Sequence, residues 1–113
     1  MTNRAIMDKS MSELDFARAV VDLALSCGWK VRQEPPWRAS CRKDDSAKGF
    51  PDLVLVDSAR VLFVELKRQR GRLSGRQEEW KSALEHAARW NQYVEYHIWR
   101  PSDWEAIEAR LRA

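Results

Sequence analysis

The sequence predicts a small α/β domain with a mixed β-sheet flanked by helices. Helical and strand-like patterns follow one another in the order α-β-β-β-α-β-α. The middle helix lies between two strand-like segments, and such a unit gives parallel strands joined by a right-handed crossover. A tight polar turn joins two of the earlier strands, which indicates an antiparallel pair. A chain of 113 residues is long enough for one domain with a single core.

The composition is that of a globular protein with a basic surface. Hydrophobic residues make up 44% of the chain and charged residues 33%, with a net charge of +3 that suits a polyanionic partner. Cys27 and Cys41 form no CxxC pair, so we expect reduced thiols instead of a disulfide or a zinc site. No stretch approaches the ~20 apolar residues of a membrane span, and no signal segment opens the sequence. A cytoplasmic location without membrane contact is therefore expected.

Two segments are predicted to lack regular structure. Residues 1–9 show no periodicity and are expected to form a disordered arm, which leaves 10–113 as the single domain. Residues 34–49 have neither a helical nor a strand pattern, and so long an internal loop is usually functional or disordered. Trp37 in this loop is expected to pack against the core, the alternative being stacking on an unpaired base.

The first helix is predicted to begin at Ser10 or Ser12, because Ser10 and Glu13 have the spacing of a capping box. Gly28 is expected to end it as a C-terminal cap. A short strand is predicted over residues 29–32. The apolar stripe expected to face the core consists of Leu14, Ala17, Val21 and Leu25.

A hairpin follows the long loop, with strands predicted at residues 52–56 and 61–67 around a turn at 57–60. This turn sets the register of the two strands. It places Val56 opposite Val61, Val54 opposite Phe63, and Asp52 opposite Glu65.

Three charged residues interrupt these apolar strands: Asp52, Glu65 and Lys67. Side chains directly opposite each other lie ~5 Å apart, and Lys67 shares the face of Glu65 because it lies two residues further on. Two carboxylates this close repel each other, and a divalent cation such as Mg²⁺ reverses the sign of that interaction. The competing interpretation is a surface salt bridge from Lys67, which contributes ~0–1 kcal/mol. The pattern alone leaves both interpretations open.

The second half of the chain contains two further capping-box patterns. Ser74 with Gln77 predicts the start of the middle helix, and Ser102 with Glu105 predicts the start of the last helix. A strand is predicted over residues 93–99 between them. The predicted buried stripes are Trp80, Leu84 and Ala87 for the middle helix and Trp104, Ile107 and Leu111 for the last.

Several motifs occur in a fixed order along nearly the whole chain. They are SELDF (12–16), Gly28-Trp29, GFPDL (49–53), FVELK (63–67), GRLS (71–74) with Gln77 and Trp80, and WRPSDW (99–104). Together they resemble the VRR-NUC family of the PD-(D/E)xK nuclease superfamily. The resemblance implies a restriction-endonuclease-like fold and metal-dependent hydrolysis of phosphodiester bonds. The poorest match is the loop at residues 34–48, which bears on substrate choice.

The resemblance assigns roles to individual residues. Asp52 and Glu65 would bind Mg²⁺ or Mn²⁺, and the backbone carbonyl of Leu66 would also face the metal. Lys67 would be the catalytic lysine. Its ammonium would orient the attacking water and offset the charge that develops on the phosphate.

Two residues have two competing interpretations each. Gln77 is adequately explained as the capping-box partner of Ser74, whereas the resemblance has it reach into the active site. We expect these two roles to require different conformations. Glu13 is either the capping partner of Ser10 or, following the resemblance, a carboxylate that reaches the metal site directly or through water.

Basic side chains surround the proposed site and are predicted to contact DNA phosphates, although a run of charges is more often a solvated face. The residues so predicted are Lys48, Arg68, Arg70, Arg72, Arg76 and Arg100, with Arg38, Arg42 and Lys43 of the long loop as a second group.

The resemblance also implies a homodimer that cuts branched DNA, including four-way (Holliday) junctions, because a twofold dimer matches a twofold substrate. Two alternatives remain at this stage. One is a nucleic-acid-binding module that keeps the fold without the chemistry, and the other is a structural or interaction protein with coincidental motifs.

Overall fold

The computed structural model describes residues 7–34 and 48–113. The predicted order α-β-β-β-α-β-α is confirmed, with a one-turn 3-10 helix (Pro101–Asp103) before the last helix. The predicted loop residues Trp37, Arg38, Arg42 and Lys43 lie outside the described residues, as do positions 1–6 of the predicted arm. The elements are α1 (Glu13–Ser26), β1 (Lys30–Gln33), β2 (Leu53–Val56), β3 (Val61–Leu66), α2 (Gly75–Trp90), β4 (Val94–Trp99) and α3 (Trp104–Arg112).

The four strands form one mixed sheet in the order β1-β2-β3-β4. The two pairs β1/β2 and β2/β3 are antiparallel, and β3/β4 is parallel, as the strand–helix–strand pattern predicted. The turn between β2 and β3 is fixed by Asp57, whose amide donates to the carbonyl of Arg60 over 3.1 Å. The Asp57 carboxylate accepts from the amides of Ala59 and Arg60. The predicted register is confirmed, since Val56 lies opposite Val61 and Val54 opposite Phe63.

One face of the sheet is covered by α1 and α3 and forms the core. The buried indole of Trp29 donates from Nε1 to the carbonyl of Leu111 in α3 over 2.9 Å. The predicted α1 stripe is confirmed at Ala17 and Val21, which pack in or against the core, and is wrong at Leu14 and Leu25, which are 51% and 56% exposed. The helix is rotated so that the larger Phe16 is buried in place of Leu14. The buried face of α1 is formed by Phe16, Ala17, Val20, Leu23 and Ala24.

Ser12 caps the N-terminus of α1, where its side chain accepts from the amide of Asp15 over 3.0 Å. The predicted capping box of Ser10 with Glu13 is wrong, because Ser10 donates its amide and its hydroxyl to the carboxylate of Asp8. Gly28 ends the helix with φ +89°, as predicted.

The predicted capping box of Ser102 with Glu105 is also wrong. Asp103 accepts from the amide of Arg100 over 2.9 Å and fixes the 3-10 turn. Ser102 pairs with Gln69, a residue far away in sequence. Helix α3 therefore begins at Trp104, one residue later than the pattern indicated.

Helix α2 covers the other face of the sheet. Trp80 and Leu84 are half-buried and Ala87 is exposed, so the predicted buried stripe is wrong in its degree of burial. In the described ranges α2 is the one helix on this face, and much of its surface is exposed. Edge-to-face contacts of Phe50 with Trp80 (4.9 Å between ring centroids) and with Phe63 (6.0 Å) join α2 to the sheet. In the described parts of the chain, no helix has the length and apolar composition of a membrane span.

Candidate active site

The structure brings together Asp52, Glu65 and Lys67 at one end of the central strands. Glu65 is 1% exposed and is the one charged residue of the described ranges that is buried. The amide of Leu66 donates to Oδ2 of Asp52 over 2.8 Å, which holds that carboxylate beside the end of β3. The Lys67 ammonium lies 3.9 Å from Oε2 of Glu65 and is itself largely shielded from solvent. A buried acid, a second acid and a shielded ammonium therefore share one small region.

The surroundings of the two carboxyl groups raise the pKa of both. Burial, followed by the charge of Asp52 and a hydrogen bond with it, raises the pKa of Glu65 to about 9. Burial also raises the pKa of Asp52, against the opposing effects of the Leu66 amide, the hydrogen bond with Glu65 and the Lys67 charge. At neutral pH the pair retains a proton that an exposed carboxyl would release. A cation that displaces this proton would relieve the repulsion between the two acids.

The backbone of Leu66, whose carbonyl is the predicted third oxygen ligand, faces Asp52. In an antiparallel ladder every second opposed pair exchanges both of its backbone hydrogen bonds, and Leu53 lies opposite Val64 in such a pair. The same register places Pro51 opposite Leu66, and proline has no N–H to donate. The Leu66 amide points to this side, where it bonds Asp52, and its carbonyl points the same way. The Leu66 oxygen is thus directed toward Asp52 without a donor from β2.

A cavity of about 280 Å³ opens beside these groups and is lined by Glu13, Glu34, Asp52 and Leu66, among others. The charge of Glu13 contributes to the raised pKa of Glu65, so the structure places Glu13 at the site, as one of its two interpretations predicted. Within residues 7–34 and 48–113, no group of three or more His, Cys, Asp or Glu side chains converges closely enough to hold a metal. A contact of Glu13 with a metal, directly or through water, stays a prediction.

Gln77 bonds the helix cap and the site in a single conformation. Its Oε1 accepts from the amide of Ser74 over 2.8 Å, and its Nε2 donates to Oε2 of Glu65 over 2.9 Å. The Ser74 hydroxyl accepts from the Gln77 amide, which completes the predicted capping box. The expectation that the two roles require different conformations is wrong, because a carboxamide has an acceptor and a donor on separate atoms.

Comparing Gln77→Ala with Ser74→Ala separates these two roles. We expect Ser74→Ala to lower the free energy of unfolding by ~1 kcal/mol through loss of the cap and to leave catalysis nearly unchanged. Gln77→Ala should cause a similar loss of stability and also lower activity by about 10- to 100-fold, as is usual when a partner that orients a metal ligand is removed. Urea denaturation and initial cleavage rates measure the two effects. Equal activities in the two variants would contradict a role of Gln77 in the site.

Two residues at the site were missed from sequence. Glu34 lines the cavity because it follows β1, and its amide donates to the carbonyl of Asp52 over 2.9 Å. Tyr96 of β4 lies opposite Phe63 in the parallel pair, on the face that carries Glu65. Burial and the charge of Glu65 raise the pKa of the Tyr96 hydroxyl. The alternation of β4 read in register with β3 could have identified Tyr96, whereas Glu34 gave no signal.

The predicted DNA-binding residues fall into different settings. Arg68, Arg70 and Arg72 are exposed on the segment that follows β3. Lys48 and Arg76 line a cavity of about 210 Å³ beside Trp80. The guanidinium of Arg100 donates from Nη1 to the carbonyls of Arg68 (3.0 Å) and Gly71 (2.7 Å), so it is engaged by the backbone of that segment. DNA contact by these residues stays a prediction.

Residues 19–96 match the family model of the VRR-NUC domain. The chain belongs to the VRR-NUC family. The match includes Asp52, Glu65, Lys67 and Gln77, whereas Glu13 and residues 99–104 lie outside it. No curated protein and no solved structure matched the chain. The resemblance found in the sequence is therefore confirmed by the family model. VRR-NUC domains are nucleases, so the chain is a nuclease domain with DNA as its substrate.

VRR-NUC nucleases generally depend on a divalent metal, and the residues of this site fit one. The buried Glu65 faces a second carboxylate and keeps a proton that a cation can replace. Two carboxylates and a backbone carbonyl are the hard oxygen ligands that Mg²⁺ prefers, with water filling the other positions. Asp52, Glu65 and the Leu66 carbonyl would hold the ion.

Proposed function

We propose that this VRR-NUC domain is a Mg²⁺- or Mn²⁺-dependent endodeoxyribonuclease that acts as a homodimer on branched DNA such as four-way junctions. The observation that carries the catalytic part is the buried Glu65, which faces Asp52 and contacts both Lys67 and Gln77. A buried pair of acids destabilises a fold unless its charge is compensated by a paired group or a bound metal. A divalent metal bound by both acids for cleavage would compensate this charge.

The side chains have distinct tasks in the proposed reaction. A bound divalent ion supplies an activated water and polarises the scissile phosphate. Asp52 and Glu65 would bind the ion. The backbone amide of Leu66 holds the Asp52 carboxylate in place, and the side-chain Nε2 of Gln77 holds that of Glu65. The Lys67 ammonium, close to Glu65 and shielded from solvent, orients the attacking water and offsets charge that develops on the phosphate oxygens.

Size and surface support the branched-DNA part of the proposal. A domain of 113 residues has little surface for sequence readout, so recognition of DNA shape is favoured. Trp90 and Tyr93 are 75% and 56% exposed and lie where α2 ends and β4 begins. That is the end of the sheet away from Glu65, and exposed aromatic residues are enriched at interfaces. A dimer formed there would leave both sites facing DNA.

The test is a cleavage panel of single-stranded, duplex, flap, three-way and four-way DNA with Mg²⁺, Mn²⁺ or EDTA. We expect cutting only with metal and fastest on branched substrates. Lys67→Ala should lower the rate by about 10²–10³-fold, the usual effect of removing a group that stabilises developing charge. Lys30→Ala is the matched control, because Lys30 is exposed at the opposite end of the sheet.

Sedimentation velocity at micromolar concentration tests the dimer separately from the chemistry. A monomer that still prefers four-way junctions would contradict the homodimer alone. Equal rates on duplex and branched DNA would contradict the substrate preference. Binding without cutting in either metal would favour the alternative of a catalytically silent binding module.

A further inference from the structure

A second cleft lies beside the active site. It has a volume of about 550 Å³, and its walls are formed by Lys9, Ser10 and Met11 on one side and by Arg68, Gln69 and Arg70 on the other. Among the described residues that line it, three are cations and none is an acid or an aromatic residue. Such a lining favours a polyanion and offers no ring on which a base could stack.

The wall formed by residues 68–70 is fixed by long-range hydrogen bonds. Nη1 of Arg100 donates to the carbonyls of Arg68 and Gly71 over 3.0 and 2.7 Å. The side chain of Gln69 forms a reciprocal pair with Ser102, in which Nε2 donates to the hydroxyl (2.9 Å) and Oε1 accepts from the amide (3.0 Å). The loop is therefore held in shape by the segment after β4, and little ordering entropy remains to be lost on binding.

The opposite wall is held by a local turn. The amide of Met11 donates to the carbonyl of Asp8 over 3.2 Å, and the Asp8 carboxylate is occupied by the amide and hydroxyl of Ser10. Met7 and Met11 pack against the hydrophobic core. This turn places Lys9 across the cleft from Arg68 and Arg70, although its sequence gave no such signal.

Both walls of the cleft are next in sequence to residues of the active site. Arg68 directly follows Lys67, whose ammonium lies 3.9 Å from Glu65. On the other wall, Met11 lies two residues before Glu13, which lines the cavity at Asp52. A strand that has its scissile phosphate at Asp52 and Glu65 would therefore continue into this cleft.

We propose that the cleft binds the sugar–phosphate backbone of the DNA strand next to the scissile phosphate, with Lys9, Arg68 and Arg70 contacting phosphates. The inference rests on the proposed nuclease function and specifies where the cut strand runs. Arg100 acts as a positioning residue, because its guanidinium holds the backbone that carries Arg68 and Arg70.

The salt dependence of DNA binding tests the cleft. Lys9→Gln/Arg70→Gln is compared with Lys30→Gln/Arg89→Gln, which removes one exposed lysine and one exposed arginine at the other end of the sheet. Each pair of substitutions lowers the net charge from +3 to +1. The probes are a fluorescein-labelled 20-nucleotide single strand and a 20-base-pair duplex, measured by anisotropy in EDTA between 50 and 200 mM salt.

We expect the slope of log K against log[salt] to become shallower by roughly 0.7 to 0.9 for each phosphate contact removed in the cleft variant. The control variant should keep the slope of the unsubstituted protein. Equal slopes in the two variants would overturn the inference. The binding measurement needs no metal, so it is independent of cleavage. If the cleft variant has the shallower slope but the protein cuts no DNA, the proposed function alone is contradicted. If the protein cuts DNA but the two variants have equal slopes, the cleft alone is contradicted.

Arg100→Lys tests the positioning role, because lysine keeps the charge for a phosphate contact but lacks the rigid planar group that places Nη1 between the carbonyls of Arg68 and Gly71. We expect weaker DNA binding together with faster hydrogen exchange of the amides at residues 68–71. Unchanged exchange with unchanged binding would overturn the positioning role.

Discussion

Glu65→Gln is expected to abolish cleavage and, in the absence of metal, to stabilise the protein at neutral and alkaline pH. Glu65 keeps its proton in the folded protein up to a pKa of about 9, whereas the unfolded chain releases it near 4.5. Between these values the folded state binds more protons, so the free energy of unfolding falls as pH rises. Glutamine has no proton to lose in this range and has the same shape. Its carbonyl can still accept from Gln77.

Thermal denaturation in EDTA from pH 5 to pH 9 measures this effect. The Tm of the unsubstituted protein should fall across the window, and that of Glu65→Gln should change far less. A tenfold change in proton affinity corresponds to about 1.4 kcal/mol, and each kcal/mol corresponds to about 4–8 °C in a domain near this size. Asp22→Asn, an exposed acid of α1, is the control and should keep the original slope. Parallel curves for Glu65→Gln and the unsubstituted protein would contradict the raised pKa of Glu65.

Added Mg²⁺ should counteract the fall of Tm at high pH. A metal that binds the ionised pair competes with its proton, so it stabilises the fold more at high pH than at low pH. We expect a larger rise in Tm at pH 8.5 than at pH 5.5, and little rise at either pH in Glu65→Gln. An equal rise in all four conditions would mean that the ion binds elsewhere.

The catalytic strands could be predicted from sequence because one local feature sets their register. Asp57 and Arg60 close the turn with short-range hydrogen bonds, and every opposed pair follows from it, including Asp52 with Glu65. The serine caps were harder to predict, because other polar side chains can bond the same serine. Asp8 binds Ser10 and Gln69 binds Ser102, and the three-residue spacing contains no information about either partner.

The parts of the site that could not be predicted depend on distant contacts. Arg100 was expected to contact DNA because it is basic and ends a strand, but its Nη1 is directed to carbonyls some 30 positions earlier. Lys9 was placed in an arm, and it reaches the cleft only because Met7 and Met11 pack on the core. A single sequence shows residue types and local spacing, and it does not show which surfaces fold against each other.

Gly49→Ala should be among the most damaging single substitutions in the chain. Gly49 has φ +84°, and a Cβ there would lie 2.4 Å from the backbone carbon of Arg76 and 2.6 Å from the amide nitrogen of Gln77. The left-handed backbone costs an alanine about 1–2 kcal/mol, and overpacking adds typically ~1–3 kcal/mol. Relief of the clash requires the first turn of α2 to move, and that turn carries the Gln77 side chain bonded to Glu65.

Substitutions at two other glycines separate the cost of backbone strain from the cost of the steric clash. Gly28→Ala has the same backbone strain at φ +89° but meets nothing within 4 Å, so it should lose only about 1–2 kcal/mol and keep full activity. Gly75→Ala, at the first residue of α2 with open space around it, should be neutral or stabilising by up to ~1 kcal/mol. Urea denaturation and cleavage rates below the unfolding transition would be measured for all three. If Gly49→Ala loses no more stability than Gly28→Ala and keeps its activity, the close approach of residue 49 to α2 does not position Gln77, and the site depends on the sheet alone.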